Sequence, residues 1–399
     1  MKCKITEENL NPFMSFGKMP SANGFLEKKD FDNEFFYEME VGFSEKISLF
    51  QLNEFSHPEK VHNERYPFYT SSSQNMKKHF KNFAHWLKEK YLDNGSKLIE
   101  VGSNDGTLLE NFKSTNIEAI GFEPSKTIAE LANKKDIKTL NKFFNTQNIN
   151  NLKNFHNSVD VICSANVIAH IPDLKDVIKS VDKLLSSKGL LIFEEPYLGS
   201  MFSKISYDQI YDEHIFMFSI SSIKKVFDLF DFELVDVLPQ VTHGGSMRYV
   251  IGRKNKHKKS EIISKLIDDE QSKELDTIKS CLKFKKACEF SKKMTLDKLN
   301  KFKENNKKIC GYAATAKSTT ILNYCSIGNN IIDYICDTTK EKIGKFSPGT
   351  HIPIVPVSRF HEDVPNIAYL FAWNHKEEIF SKEKSFKESG GVWFSHVAL

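Results

Sequence analysis

At 399 residues the chain has room for two or three domains, each large enough to bury its own core. Lys plus Arg number 56 against 52 for Asp plus Glu, and a formal net charge of +4 is too balanced to indicate a nucleic-acid partner. No apolar run approaches the ~20 residues of a membrane span, and the opening MKCKITEENLNP lacks the apolar stretch of a secretory signal. The seven cysteines (3, 163, 281, 288, 310, 325 and 336) form no CxxC pair, which makes a disulfide framework unexpected and a reducing cytoplasm the default.

In chain order, residues 1–72 read as a small loop-and-strand module, with turn-forming Asn-Pro and Met-Pro pairs between short apolar stretches. An amphipathic helix follows, carrying Met76, Phe80, Phe83, Leu87 and Tyr91 at three- and four-residue spacing. KLIEV (97–101) then reads as a buried strand, with a helix expected through 115, the strand EAIGFE, and a helix near 125–134. VDVICSA (159–165), DLKDVIKSVDKLL and GLLIFEE continue the alternation, which predicts a doubly wound parallel α/β sheet over 73–255.

From 256 to 399 the sequence predicts a helical connector leading into a second α/β unit. In the Lys-rich connector Leu275, Ile278, Leu282, Leu296 and Leu299 keep helical spacing. Its acids are interspersed throughout, so it reads as a solvated helix rather than a membrane- or RNA-binding one. KKICGYAA, IIDYICD, IPIVPV, AYLFAW and GVWFSHVAL supply the strands of the second unit.

The first strand runs directly into Gly102-Ser-Asn-Asp-Gly106, a turn that can bring backbone N–H groups against a ligand. Asn104 stands where a dinucleotide GxGxxG turn would place its middle glycine. Glu100 precedes the turn, and Glu123 ends the next strand, where a carboxylate can accept both ribose hydroxyls. Pro124 and Ser125 follow it, and Asn166 ends the third strand on the same sheet edge. An acid ahead of the turn favours S-adenosylmethionine (SAM), whose amino-acid part needs an acceptor. The candidate cofactor set is Glu100, Gly102, Asn104, Asp105, Gly106, Glu123, Pro124, Ser125 and Asn166.

Further stretches accompany these: MPSANGFL, YTSSSQNMKKHF, EVGSNDGTLL, GFEPS, NVIAHIPD, YDQIYDEHIFMFS, HGGSMRY, GYAATAKSTTILNY, PGTHIPI and AWNHKEEI. In this order, over nearly the whole chain, they resemble the SAM-dependent C-methyltransferases of nucleotide-activated deoxysugars. The resemblance implies a class I methyltransferase domain of Rossmann-like form, between an N-terminal module and a C-terminal Rossmann-like α/β domain. It also implies a 4-keto nucleotide sugar as substrate, methylated at the carbon next to the ketone.

By that resemblance the functional groups map to Tyr211, Glu213, His214, His170 and Tyr66, with His214 as the base, Glu213 the next candidate for that role, and Tyr211 and His170 steadying the enolate oxygen. Tyr207, His243, Gly244, Arg248 and Asn374 are the candidate substrate contacts, Arg248 for a diphosphate. A helical 207–214 segment would put Tyr207, Tyr211 and His214 on one face, whereas an extended one would put Tyr211 and Glu213 there.

The chain departs from the family pattern in two places. Of two CxxC pairs that normally hold zinc, only Cys3 survives, with Thr6, Ser44 and Ile47 at the other positions, so no zinc is expected. Ala313 and Ser318 replace glycines near the start of the second α/β unit, which argues against a tight phosphate loop. The rival readings are a non-catalytic member of the family and an NAD-dependent sugar oxidoreductase, the latter without GxGxxG or a YxxxK pair. The expected assembly is a monomer or a weak homo-oligomer, with no nucleic-acid or membrane partner.

Overall fold

The structure, a computed structural model, describes all residues except 58 and 60–67. Among the described residues no helix is long and apolar enough to cross a membrane. Three sheets organise the described residues. Strands β1 (Pro12–Pro20), β2 (Phe36–Ser44) and β3 (Leu49–Leu52) form an antiparallel sheet near the N-terminus. The central sheet contains β4 (Lys97–Val101), β5 (Glu118–Phe122), β6 (Thr139–Leu140), β7 (Val159–Ala165) and β8 (Leu185–Pro196). The short strand β9 (Phe216–Met217) leaves that region of the chain and pairs with β3 instead.

The central sheet closes with β10 (Phe232–Gln240) and β11 (Ser246–Arg253), in the order β10-β11-β8-β7-β4-β5-β6. Its strands are parallel except β11, which runs antiparallel to both neighbours. This is the class I methyltransferase arrangement, with a reversed strand inserted near one edge. The apolar runs of β4 and β7 are buried on both faces, as a covered parallel sheet requires.

The third sheet, of β12 (Ile309–Tyr312), β13 (Ile335–Asp337), β14 (Ile354–Pro356), β15 (Ile367–Leu370) and β16 (Val392–Phe394), is wholly parallel. Its order, β14-β13-β12-β15-β16, is Rossmann-like.

The amphipathic helix forms over Gln74–Lys90, capped by the Ser73 side chain, with Met76, Phe80, Phe83 and Leu87 inward. The helix expected after the glycine turn does not form. Only a short 3-10 turn at Leu109–Phe112 follows, buried at Leu109 and Phe112. The Lys-rich connector is two helices, Ile262–Ser272 and Ile278–Glu304, with Leu275 and Leu299 buried but Leu282 45% exposed.

The apolar cores run across the sheets. Cys3, Ile5, Leu10, Ile47 and Leu49 belong to the same cluster as Ile99, Val101 and Leu191 of the central sheet. Phe13, Met39, Phe43 and Phe50 cluster instead with Ile321, Leu322 and Ile335 of the C-terminal unit.

Helix Ile262–Ser272 is fastened to the central unit by the buried Glu270. Its carboxylate accepts from the Ile220 N–H at 2.7 Å, the Ser221 N–H at 2.8 Å and the Tyr197 hydroxyl at 2.8 Å. The two amides belong to the first turn of helix Ile220–Asp228, where unpaired N–H groups favour a carboxylate. Glu270→Ala strands three buried donors at once, so a loss of about 3 kcal/mol is expected. Urea unfolding should show it as a lower midpoint, and an unchanged midpoint would mean that water replaces the carboxylate.

Candidate active site

A cavity of about 320 Å³ opens where the three units meet. At one end stand Glu100, Gly102, Asn104, Glu123, Pro124 and Asn166, all from the carboxyl edge of the central sheet. The turn after β4 is built as the sequence suggests, except for the role of its glycines. Gly102 has φ +70°, and a Cβ there would lie 2.4 Å from the Val167 side chain. Gly106 has φ +80°, and its Cβ would meet Ile137 at 2.6 Å. Both glycines therefore serve a left-handed turn and close packing.

Asn104 takes the third left-handed position, with φ 48°. Asparagine tolerates that conformation, which is why no middle glycine is needed. Its side chain also accepts from the Thr70 N–H at 2.9 Å and donates to the Phe68 carbonyl at 3.2 Å, drawing residues 68–70 over the cavity.

Three members of the expected cofactor set stand back from the cavity. Asp105 accepts from the Ser71 N–H at 3.2 Å and the Thr107 hydroxyl at 2.6 Å, and so locks the turn from behind. Gly106 faces Ile137, and Ser125 begins the next helix with its N–H given to Glu123 at 2.7 Å.

The lining itself suits SAM. Among the described residues Glu100 Oε2 and Asn166 Oδ1 are buried without a hydrogen-bond partner, so each can accept from a ligand. Burial, together with Asp105 and Glu123, holds the Glu100 carboxyl well above the usual range, an environment that a cationic ligand would relieve. The Glu123 carboxylate accepts from the Asn104 N–H at 3.1 Å as well as from Ser125, leaving lone pairs toward the cavity. Burial raises its pKa to about 7, against those two backbone hydrogen bonds.

The second wall carries the expected catalytic groups. Segment 207–214 is neither helix nor strand: a 3-10 turn at Tyr207–Gln209 leads into a second turn ending at His214. This fold separates Tyr207 from the rest. Tyr207 is fully buried, its hydroxyl 3.4 Å from Cys325 Sγ and its ring against Tyr324 and His396, so it is no substrate contact.

Tyr211, Glu213, His214 and His170 all line the cavity. His214 Nδ1 sits 2.6 Å from the Gln209 carbonyl and must donate to it, which fixes Nε2 as the acceptor of the Tyr211 hydroxyl at 2.8 Å. The His170 ring lies 5.1 Å from that of His214. Burial lowers the His214 pKa to about 4, so the imidazole is neutral at ordinary pH. Glu213 accepts from the Asn23 side chain. Tyr66 lies outside the described residues.

Of the remaining substrate candidates, His243 and Asn374 line the cavity whereas Gly244 and Arg248 do not. A Cβ on Gly244 would lie 2.2 Å from the Trp373 ring, so this glycine makes room for an indole. Arg248 is fully committed below the cavity. Its guanidinium donates to Glu194 Oε1 through Nε at 2.8 Å and Nη2 at 2.5 Å, and stacks over Phe83 and Trp86. His79 takes the other oxygen of Glu194 at 2.6 Å. A diphosphate could reach Arg248 only by breaking this buried triad.

Among the described residues, the cations that do line the cavity are Lys142 of the central unit and Lys317 and Lys342 of the C-terminal unit. Lys317 lies within the GYAATAKS stretch, where the loss of two glycines masks the lysine as a signal. Ala313 nevertheless adopts φ 70°, so the turn survives without glycine.

Glu123→Ala is expected to weaken SAM binding by about 1.5–3 kcal/mol, the range for hydrogen bonds to a charged acceptor. In the unaltered protein, affinity should rise as pH rises through about 7, because ribose hydroxyls need the ionised carboxylate. Glu123→Gln should flatten that dependence. Calorimetry showing the same affinity at pH 6 and 8, and in Glu123→Ala, would remove this carboxylate from the cofactor site.

The comparisons with known proteins cover the same ground. Three family models match in succession: "Putative zinc binding domain" at residues 3–62, "Methyltransferase domain" at 45–237 and "C-methyltransferase C-terminal domain" at 241–397. The C-methyltransferase NovU of Streptomyces niveus is 27% identical over 381 residues, spanning 95% of this chain and 90% of its own. Among solved structures, magnesium protoporphyrin IX methyltransferase (ChlM) of Synechocystis PCC 6803 with bound SAH is 13% identical, with a TM-score of 0.35 over 45% of this chain and 83% of its own. YcgJ of Bacillus subtilis is likewise 13% identical, with a TM-score of 0.35 over 45% of this chain and all of its own. The reversed strand in the central sheet, the succession of family models and the near-full-length relative together identify the chain as a SAM-dependent methyltransferase, similar over most of its length to a C-methyltransferase.

Proposed function

We propose that this enzyme methylates carbon on a nucleotide-linked 4-keto deoxysugar, at the position next to the ketone. The observation that carries the reading is the Tyr211–His214 pair, beside His170, on the wall of the cavity whose other end offers Glu100 and Glu123. A carbon next to a ketone is acidic enough to give up a proton, provided that a base is at hand and the enolate oxygen is held.

His214 is the base. Its Nδ1–H is anchored on the Gln209 carbonyl, so the Nε2 lone pair is the one available to the substrate. In the free enzyme the Tyr211 hydroxyl occupies that lone pair. When substrate enters, the hydroxyl turns to the ketone oxygen, which bares Nε2 and supplies the enolate donor in one movement. The proton passes from carbon to Nε2, and the electron pair left behind delocalises onto the oxygen held by Tyr211 and His170. Bound SAM supplies an electrophilic methyl group for the resulting carbanion.

Lys317 and Lys342 support a nucleotide-linked substrate. Lys317 is buried and Lys342 half-buried on the cavity wall opposite the central sheet, cations suited to the diphosphate that Arg248 cannot meet. Asp337, which ends β13 where Rossmann-like folds hold a ribose, accepts from the Ala314 N–H at 2.6 Å and the Thr339 N–H at 2.7 Å, as Glu123 does from two backbone N–H groups in the central unit.

In heavy water with a non-transferring SAM analogue, the enzyme should exchange deuterium into one ring carbon of a 4-keto nucleotide sugar. His214→Asn should lose both exchange and methylation, and Tyr211→Phe and His170→Asn should slow both by ~10²–10³. Because the base must be neutral and its pKa is about 4, exchange at saturating ligand should not fall between pH 7 and 6, as it would with an unshifted histidine. Near-normal turnover in His214→Asn would move the base elsewhere, with Glu213 the next candidate. Methylation of a hydroxyl without exchange would make this an O-methyltransferase.

We infer as well that the N-terminal module works without zinc, although a zinc-binding model matches it. Cys3 Sγ accepts from the Thr6 N–H at 3.4 Å, Ser44 donates to Glu8, and Ile47 is buried in an apolar cluster with Cys3, Ile5 and Leu10. One thiol, two hydroxyls and an isoleucine are not the donors of a tetrahedral site. Metal analysis should find far less than one zinc per chain, and a chelator should leave the melting temperature unmoved. Stoichiometric zinc would overturn this inference.

A further inference from the structure

One acid of the YDQIYDEH stretch has no part in the chemistry above. Asp208 is buried on the turn Tyr207–Gln209, behind the cavity wall. Its Oδ2 accepts the indole N–H of Trp373 at 2.6 Å, and its Oδ1 lies 3.3 Å from His396 Nε2. His396 is itself held at Nδ1 by the Tyr369 hydroxyl, 3.1 Å away. The indole continues the chain of contacts toward the cavity. The Lys317 ammonium sits over its face, 4.6 Å from the ring centroid, and donates to Asn374 Oδ1 at 3.1 Å. Gly244 fixes the indole by close approach.

A buried ammonium needs compensation for its lost water, and among the described residues no carboxylate is hydrogen-bonded to it. The compensation comes in two steps. A carboxylate accepting the indole N–H makes the ring more electron-rich, which deepens the negative face offered to a cation. The same carboxylate adds its own field at longer range. We propose that Asp208, acting through the indole of Trp373, is the positioning residue that keeps Lys317 charged and aimed into the cavity. The inference rests on reading Lys317 as a partner of the substrate's anionic part.

The groups facing Lys317 make the sign of the effect definite. Burial draws its pKa down to about 8, Lys204 acts in the same direction, and Asp208 opposes both. His214, His243 and His375 share its surroundings, and each has its own pKa lowered in part by Lys317. Asp208 is held below the usual carboxylate range despite burial, because His396, Lys317 and Trp373 outweigh desolvation. Removing Asp208's charge or the indole N–H therefore lets Lys317 lose its proton at lower pH. Anion binding should then fail at lower pH, and acidification should restore it. A merely structural defect would not be restored.

The test is binding of UDP, dTDP and inorganic pyrophosphate to the full-length enzyme by calorimetry between pH 6 and 9. The unaltered protein should lose affinity around pH 8. Trp373→Phe and Asp208→Asn should bind ~10-fold more weakly at pH 8, the loss that follows when the lysine gives up its proton about ten times more readily, and approach the parent at pH 6. In a Lys317→Arg background, where the cation cannot titrate, Asp208→Asn should cost less than ~3-fold. S-adenosylhomocysteine binding checks that each variant folds, and Trp373→Phe decides the matter if Asp208→Asn does not.

If Lys317→Met binds all three probes like the parent, the anion reading falls and this inference with it. If Lys317→Met loses binding while Trp373→Phe and Asp208→Asn show no effect, or equal losses at every pH, the relay alone is overturned. An undiminished cost of Asp208→Asn beside Lys317→Arg also overturns the relay.

Discussion

The cavity exists because a buried carboxylate, Asp212, binds the N-terminal segment to the one bearing Tyr211 and His214. It accepts from the Ser21 hydroxyl at 2.9 Å and the Ala22 N–H at 3.1 Å. The Ala22 carbonyl in turn accepts from the Thr319 hydroxyl at 2.8 Å, and Thr320 donates to the Ile210 carbonyl at 2.9 Å. Three parts of the chain, near residues 22, 212 and 319, are thus joined in one buried polar knot. In low dielectric such a knot is close to all-or-nothing, because each broken bond strands a desolvated partner. Its closure brings Asn23 to Glu213, and it sets the segment bearing Tyr211 and His214 against the helix bearing Lys317. The cavity is therefore a product of assembly, and no one sheet contains it.

The distribution of charge around the cavity follows from that enclosure. Arg248 is spent on Glu194, while Glu100 and Glu123 face the cavity with no ion pair among the described residues. Glu195 joins them from behind. Its Oε1 accepts from the Val167 and Ala169 N–H groups, and burial raises its pKa to about 8. These carboxyls hold protons more tightly folded than unfolded. The stability they allow at low pH is lost as pH rises from the ordinary carboxylate range through about 7 for Glu123 and about 8 for Glu195. At neutral pH this end of the cavity thus still holds protons that its carboxyls would otherwise shed, and a cationic ligand with hydroxyl donors is the kind of group that would favour their ionised form.

What was legible in the sequence is what local chemistry dictates. The strand KLIEV, the left-handed turn after it, the acid ending β5 and the capped helix from Gln74 each depend on neighbours within a few residues. What was hidden depends on long-range pairing. Nothing in HGGSMRY distinguishes an arginine for phosphate from one sealed by Glu194, because the partner lies 54 residues away. Tyr207 and Tyr211 look alike in YDQIYDEH, yet the turn at Tyr207–Gln209 sends one into the core and the other into the cavity. The helix expected after Gly106 was lost to tertiary packing, which buries Leu109 and Phe112 in a tighter turn. Lys317 was visible all along, but its meaning depends on Trp373 and Asp208, residues remote in the chain.

The same dependence on assembly supports the proposal that the N-terminal module needs no metal. Small modules use zinc when they cannot bury enough apolar surface alone. Here the antiparallel sheet borrows β9 from the central unit through the Phe50–Met217 and Gln51–Phe216 pairs. One face of the module packs into the central core through Ile5, Leu10 and Ile47, and the other joins the C-terminal core through Phe13 and Phe43. Ile47 then adds to a shared core at a position where a thiolate would have served a local site. A module stitched in on both faces gains its order from its neighbours, which removes the pressure to keep four metal ligands. The constraint that remains is on Ser21, Ala22 and Asn23, because these residues meet Asp212 and Glu213, and through them the cavity.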